Sequence, residues 1–339
     1  MAAFDGKANP LRLQPTRSAL VVLIDGLGHA QLAQHRGHAR ALGSASGKSL
    51  VSGFPSTTAA ALTSLATGTL PGSHGIVGYD ALVPGIGVRN QLRDWGGEMD
   101  PDTYQRSEPL WSKRTCAIVA EAKYAASGFT RATLRGADYI GEDNLDARVQ
   151  AAAQALRSHE LVYLYLPELD RVGHKHGVGS NEWVSTLEML DAHVGELAAV
   201  VRGGMLVTAD HGMVDVPTER HIVLGSALDG VKEIAGEARA RQFHLEDPDF
   251  AEQAAKDLRE EFGDVAWAVT RSDLVSSGWL GEVDPLVLPR IGDVLLAAKG
   301  TWAFYPGEGD PAMGMVGQHG SLTDEELRVP LARFGVWSR

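Results

Sequence analysis

The sequence predicts an α/β fold, a mostly parallel central sheet flanked by helices on both faces, with a small α+β lid inserted late in the chain. Three observations predict it. Short apolar runs such as Leu20-Val-Val-Leu-Ile24 and Leu161-Val-Tyr-Leu-Tyr-Leu166 have the length and continuity of strands buried on both faces. Amphipathic stretches alternate with them, as a parallel sheet with crossover helices requires. Between residues 225 and 285 the texture changes to short strand-like segments around one charged helix.

Residues 18–25 read as the first buried strand, ended by Asp25-Gly26. Residues 58–67 read as a helix rich in alanine and leucine; Gly68 stops it and Pro71-Gly72 turns the chain. An amphipathic helix over 144–158 feeds the strand 161–166. The long helix expected over 181–202 carries apolar residues at 184, 187, 190, 194, 197, 198 and 201, which form one buried face. After Gly203-Gly204 comes a strand over 205–209. In the inserted segment, 231–234, 238–245 and 265–270 read as strands and 249–262 as a helix. The run 291–298 is expected to return to the central sheet. The resulting domains are an α/β domain of 1–224 and 286–339, holding the candidate site, and a lid of 225–285.

A chain of 339 residues with 44% apolar and 22% charged residues can bury a large core. Its formal net charge of -12 argues against a binder of nucleic-acid polymers, which needs basic patches. A small anionic substrate stays compatible with it, because bound metal ions invert the local field. Cys116 is the sole cysteine, so neither an intrachain disulfide nor a thiolate zinc cluster is expected. The amino-terminal residues lack a positive start leading into an apolar stretch, and the run 19–24 is too short to span a bilayer. A cytoplasmic enzyme is the expectation.

In such sheets ligands bind beyond the carboxyl ends of the strands, and Asp25, Asp170 and Asp210 each fall just past one. Asp210-His211-Gly212 closes an apolar run, where burying a charged pair costs several kcal/mol unless a cation compensates it. Asp170 and His174 are four residues apart, neighbours on one face if the segment is helical; Pro167 and Gly173 leave a structured loop open. His319 sits between Gly317 and Gly320, and Asp25 precedes Gly26. Each fragment alone has a plain reading as a cap, a turn or a solvated pair. Together they make a set of carboxylates and imidazoles too large for one tetrahedral ion and suited to two. Such ligands suit zinc best, with manganese or iron next; calcium draws mainly on oxygen. Ser56-Thr57-Thr58 could supply a nucleophile at a helix start, where an anion is favoured. Taken alone, that segment reads first as helix capping.

The motifs Val22-Leu-Ile-Asp25-Gly, Phe54-Pro-Ser-Thr-Thr58, Leu65-Ala-Thr67-Gly68, Pro71-Gly-Ser-His74-Gly-Ile76, Asp170-Arg-Val-Gly-His174, Thr208-Ala-Asp210-His211-Gly212 and Gln318-His319-Gly320 run through nearly the whole chain. In this order they resemble the alkaline phosphatase superfamily, in particular its nucleotide pyrophosphatase/phosphodiesterase branch, the type I phosphodiesterases. The resemblance implies an alkaline phosphatase-like fold and two divalent metal ions, Zn2+ foremost and Mn2+ second. It implies one ion held by Asp170, His174 and His319, and another held by Asp25, Asp210, His211 and the oxygen of the nucleophile. Counting nine residues back from the threonine of Thr67-Gly68 gives Thr58 as that nucleophile, with Thr57 in reserve.

The implied activity is hydrolysis of small phosphodiesters or nucleotide pyrophosphates through a phosphothreonine, with retention at phosphorus. A phosphomonoesterase or phosphonate hydrolase on the same site is the alternative, and a catalytically silent metal-binding protein a further one. Two departures bear on specificity. Tyr79 stands where the branch often carries an asparagine that helps hold a phosphate oxygen, so Tyr79 is a candidate substrate-binding residue. Ala59-Ala-Ala61 follows Thr58 where the branch is more polar. Cys116 lies outside any Cys-x-Pro-x-Arg signature, which argues against a sulfatase. His74 is expected to pack a loop, and His176 and His221 to be solvated.

Overall fold

A computed structural model describes residues 1–338. In chain order its principal elements begin with β1 (Ala19–Ile24), β2 (Ser46–Val51), α1 (Thr58–Thr67), β3 (Asp80–Val83), β4 (Gly87–Asn90), β5 (Cys116–Ala120) and β6 (Asp138–Gly141). They continue with α2 (Leu145–Ala155), β7 (Leu161–Leu166), α3 (Glu168–His176), α4 (Asn181–Val200) and β8 (Gly204–Thr208). The last third holds β9 (Val231–Glu237), β10 (Ala240–Leu245), α5 (Ala251–Phe262), β11 (Ala266–Thr270), β12 (Val294–Ala298) and β13 (Arg328–Gly335).

The central sheet has seven strands in the order β2-β13-β8-β1-β7-β5-β6. β1 lies in the middle and pairs in parallel with β7 and β8, and β5 pairs in parallel with β7 and β6. β13 alone runs against its neighbours β8 and β2. The fold is thus the mostly parallel, helix-flanked sheet that the sequence predicts. Leu20, Val22 and Ile24 point into one core with Val149 and Ala152 of α2 and with Trp183, Leu187, Leu190, Val194 and Leu197 of α4. Ala19 and Leu23 point into the opposite core with Ala59, Leu62 and Ala66 of α1. This period-two division puts helices on both faces of the strand. Side chains at the helix starts fix their boundaries: Asn144 accepts from Ala147 N at 3.0 Å, and Ser180 accepts from Trp183 N at 3.2 Å.

Register sets the position of the site. Ile24 lies opposite Leu166, and Leu23 opposite Thr208, so β1, β7 and β8 run out together. Residues just beyond them, Asp25, Asp170 and Asp210, therefore share one edge.

The second sheet corrects one expectation. β12 does not return to the central sheet; it pairs antiparallel with β10 and β11 in a four-stranded sheet of order β9-β10-β12-β11. A boundary at residue 285 would cut that sheet. Val294, Leu296 and Ala298 pack with Ala255, Leu258 and Phe262 of α5, while Leu295 and Ala297 pack with Phe54 and Val77 of the main body. Both faces of the strand are covered, which explains its continuous apolar texture. Among the described residues no helix is long and apolar enough to cross a membrane.

Candidate active site

β1 delivers Asp25 to the middle of the carboxyl edge. The chain then turns at Gly26, whose φ of +75° is left-handed, and a Cβ there would lie 3.0 Å from both Cα and Cβ of Asp170. Only glycine permits that approach of the β1 turn to α3. Asp170 and His174 stand one turn apart on α3, with His174 Nε2 3.3 Å from Asp170 Oδ2, so the helical alternative for this pair holds. Beyond β8, His211 Nε2 lies 3.4 Å from Asp25 Oδ1 and 3.4 Å from Asp210 Oδ2. His319 follows a two-residue strand, Gly317–Gln318, paired with Val214–Asp215. Its ring stacks on that of His211 with centroids 3.5 Å apart, and its Nε2 is 3.8 Å from Asp170 Oδ1.

The three imidazoles are oriented alike. Nδ1 of His174 lies 2.7 Å from Gly317 O, Nδ1 of His211 3.0 Å from Gly212 O, and Nδ1 of His319 2.8 Å from Ser56 O. A carbonyl only accepts, so each Nδ1 carries the proton and each Nε2 keeps a free lone pair. That is how metal-ligating histidines are held.

Thr58 is the first residue of α1, and its Oγ1 lies 3.1 Å from His211 Nε2. Thr58 is partly exposed and Thr57 is buried. Thr57 holds the N-cap position without a side-chain cap bond, so helix capping does not account for these hydroxyls. Ser56 acts differently, since its Oγ donates to Ser321 O at 2.7 Å and accepts from Gly320 N at 3.1 Å. The start of α1 is thereby tied to the His319 turn.

Asp25 Oδ1, Asp170 Oδ1 and Asp210 Oδ2 are buried without a hydrogen-bond partner. Burial, then the neighbouring charge of Asp25, pushes the Asp170 carboxyl up to about 7. Burial, then Asp170, pushes Asp210 up to about 7 as well. Burial, then Asp210, holds Asp25 well above the carboxylate range. The imidazoles move the other way: burial lowers His211 to about 4, and burial with His211 and His174 alongside holds His319 well below the usual imidazole range. Carboxyls that resist ionisation beside imidazoles that stay neutral form a donor set short of positive charge.

Ligand atoms of Asp25, Asp210 and His211 lie within 4.8 Å of one another, as do those of Asp170, His211 and His319. The residues fit a pair of divalent cations. His211 belongs to both groups, whereas His174 approaches through Asp170, its ring 5.1 Å from that of His319.

The remaining sequence candidates divide. Tyr79 sits half-buried before β3, with the Arg93 guanidinium 5.9 Å over its ring, and burial raises its phenol pKa. His74 packs a loop: its Nε2 is 2.9 Å from Ser64 Oγ, its Nδ1 accepts from Ile76 N at 3.1 Å, and burial lowers it to about 3. His176 is exposed, as expected. His221 is not simply solvated; its half-buried ring packs 4.8 Å from that of Tyr305.

Sequence reasoning missed several groups. The Tyr165 hydroxyl donates to Asp25 Oδ2. A signal existed, since a phenol in a buried strand needs a partner. Glu326 accepts from Arg239 Nε and Nη2 at 2.7 Å each and from Ser321 N at 2.9 Å, while its backbone oxygen accepts from Gly212 N at 2.7 Å. It thus joins the His211 and His319 turns to the second sheet. Glu237, at the end of β9, carries a carboxyl that burial raises to about 8.

The sequence profile described as type I phosphodiesterase/nucleotide pyrophosphatase matches residues 19–322. The chain belongs to this family. The type I phosphodiesterases are a branch of the alkaline phosphatase superfamily of metal-dependent hydrolases, and the fold agrees with that placement.

Among curated family members, ectonucleotide pyrophosphatase/phosphodiesterase family member 1 of Homo sapiens is 27% identical over 197 residues, 50% of this chain and 20% of that protein. Venom phosphodiesterase CdcPDE of Crotalus durissus collilineatus is 24% identical over 193 residues, 49% of this chain and 22% of that protein. The match therefore spans about a fifth of the length of these relatives. Murine ectonucleotide pyrophosphatase/phosphodiesterase 5, in an inactive form with AMP, shares the fold with a TM-score of 0.73 at 17% identity, covering 94% of this chain and 88% of that one. Phosphonoacetate hydrolase from Sinorhizobium meliloti 1021, with phosphonoformate, does so with a TM-score of 0.73 at 20% identity, covering 95% and 91%.

Proposed function

We propose that this type I phosphodiesterase homologue hydrolyses small phosphate esters, phosphodiesters or nucleotide pyrophosphates foremost, with Thr58 as the nucleophile. One observation carries the reading: the Thr58 hydroxyl, partly exposed at the start of α1, lies 3.1 Å from His211 Nε2 beside three carboxylates with unpaired buried oxygens. We assign Asp170, His174 and His319 to one cation, and Asp25, Asp210, His211 and Thr58 Oγ1 to the other. Two divalent ions there, Zn2+ first by donor chemistry and Mn2+ second, would offset the carboxylate charge, acidify the Thr58 hydroxyl and stabilise charge on the oxygens at phosphorus.

The chain's own residues do the rest. α1 fixes the direction of Thr58 Oγ1, and its amino-terminal dipole favours an anionic phosphoryl group in front of it. Oγ1 gives up its proton and attacks phosphorus in line, forming the Oγ1–P bond as the bond to the leaving oxygen breaks, and that oxygen takes a proton from solvent to leave as the alcohol. Water then attacks the phosphothreonine, and the Oγ1–P bond breaks to restore the hydroxyl. Two in-line displacements retain configuration at phosphorus. Tyr79 offers its phenol to a non-bridging phosphoryl oxygen.

The test is a panel of bis-p-nitrophenyl phosphate, p-nitrophenyl phosphate and phosphonoacetate, run beside metal analysis of purified protein by mass spectrometry. The expected result is fastest turnover of the diester with about two ions per chain. A monoester or phosphonate preferred by orders of magnitude would move the assignment to the corresponding hydrolase. Protein that takes up no divalent ion would remove the hydrolytic reading altogether.

A further inference from the structure

The hairpin joining β9 to β10 lowers the second sheet onto the active-site edge. Gly236 is held at φ +78°, and a Cβ there would lie 2.0 Å from Ala240 O, so the turn is closed tightly. Glu237 follows and covers the turn after His319: a Cβ on Gly320 would fall 2.5 Å from Glu237 Cγ and 2.7 Å from its Cδ. On the other side Glu237 faces Thr57, next to the proposed nucleophile. Glu237 thus stands between the residues adjoining Thr58 and His319.

Its surroundings do not satisfy it. Oε1 of Glu237 and Oγ1 of Thr57 are both buried without a partner, while the Glu237 side chain as a whole is partly exposed. Asp80 and Glu326 add negative charge around it. Arg241, the cation that acts on it, is committed elsewhere, to Phe304 O at 2.9 Å and Asp310 Oδ2 at 3.1 Å. A buried acceptor left open costs free energy that a ligand's donor recovers. Above about pH 8, where Glu237 is ionised, a carboxylate brought to the same place meets like charge.

We infer that Glu237 is a specificity residue that accepts a hydrogen bond from a hydroxyl or ammonium group on the alcohol esterified to phosphorus and disfavours substrates carrying a carboxylate there. The inference rests on the phosphate-ester reading above and narrows its substrate class. It also places the selecting group on the second sheet, while the reacting groups belong to the first. Sites built to bond a donor discriminate strongly against analogues lacking it.

The probes, assayed at about pH 9 so that the Glu237 carboxyl, raised to about 8, is ionised, are glycerol p-nitrophenyl phosphate, ethanolamine p-nitrophenyl phosphate, bis-p-nitrophenyl phosphate and phosphonoacetate, which offer hydroxyls, an ammonium, no donor and a carboxylate respectively. In E237A the ratio of kcat/KM for the two donor-bearing diesters over the donor-free diester falls by roughly ten-fold or more, the usual worth of a charge-assisted bond. E237Q keeps an acceptor without the charge, so it retains more of the glycerol ratio than of the ethanolamine ratio. Phosphonoacetate gains relative to bis-p-nitrophenyl phosphate in both variants. Unmoved ratios, or a uniform fall on every probe, overturn the inference while the phosphate-ester reading stands. If the parent protein, loaded with metal, cleaves none of the esters, that underlying reading fails and the inference with it.

Discussion

The carboxyl edge of the central sheet and the interior of the second sheet both bury charge, and they treat it in opposite ways. In the second sheet Arg239 is fully buried, yet its guanidinium meets both oxygens of Glu326 and the carbonyls of Trp302 and Gly300. Arg241 meets Phe304 O and Asp310, and Gln242 donates to Val77 O at 2.9 Å while accepting from Gly292 N at 3.0 Å. These polar groups are completed by the protein. At the sheet edge Asp25, Asp170 and Asp210 each keep a buried oxygen with no donor. An open buried polar atom costs about 1–3 kcal/mol, so three in one pocket mark a place finished by something other than the chain. Glu237 and His244, whose Nε2 is also buried without a partner, are the points where the second sheet takes on the character of the first.

The largest effect expected from this contrast is at Thr58. T58A should lower kcat by roughly a thousand-fold or more while retaining its metal content, because a nucleophile has been removed from an intact site. T57A should keep far more activity, since Thr57 is buried behind it. A dead T57A beside a parent-like T58A would shift the nucleophile by one residue. Next in size is the completed pair. R239M or E326Q alone should cost about 3–5 kcal/mol in urea unfolding, because each leaves a buried charge or its partner uncompensated. The double variant R239M/E326L should recover only part of that loss, because the Ser321 N–H and the Trp302 and Gly300 carbonyls are left without their partners. A single-variant cost below about 1 kcal/mol would show that the second sheet tolerates open charge as the edge of the central sheet does, and the contrast would break.

The parts legible in the sequence are those whose information is local. β1, β7 and β8 announce themselves by apolar runs of strand length; Asp25, Asp210 and His211 stand just after such a run, His319 in a glycine-flanked turn, and Asp170 and His174 on the helix that follows β7. α1 begins and ends where the alanine-rich run and Gly68 place it. The partner of β12 is not legible in this way. Val294-Leu-Leu-Ala-Ala is covered on one face by α5 and on the other by the main body, so it has the texture of a central parallel strand while lying in an antiparallel sheet. Periodicity reports burial on both faces and is silent on which sheet provides it. Glu237 has no local signal either. What makes it unusual is the company of Thr57, Asp80, Gly320 and Glu326, brought together by the β9–β10 hairpin from distant parts of the chain.

The smallest predicted effect sharpens the comparison through pH. Asp170 and Asp210 titrate near 7 in the folded chain against an ordinary value of 3.8. Raised carboxyls contribute no penalty below about pH 4, where both states are protonated, and a growing one as pH rises through about 7, where the folded state must ionise them. His211, lowered to about 4, acts in the opposite sense: its contribution is present above its ordinary value of 6.5 and is lost as pH falls toward 4. Bound cations cancel the carboxylate penalty, and they bind better once those protons have left. The gap in Tm between metal-loaded and EDTA-treated protein should therefore widen from about pH 5 to about pH 8, at roughly 1–2 °C for each kcal/mol recovered. Differential scanning calorimetry across that range reads it directly. A gap that stays constant, or narrows as pH rises, would mean that the chain itself satisfies these oxygens, and the edge of the central sheet would then be no different from the interior of the second.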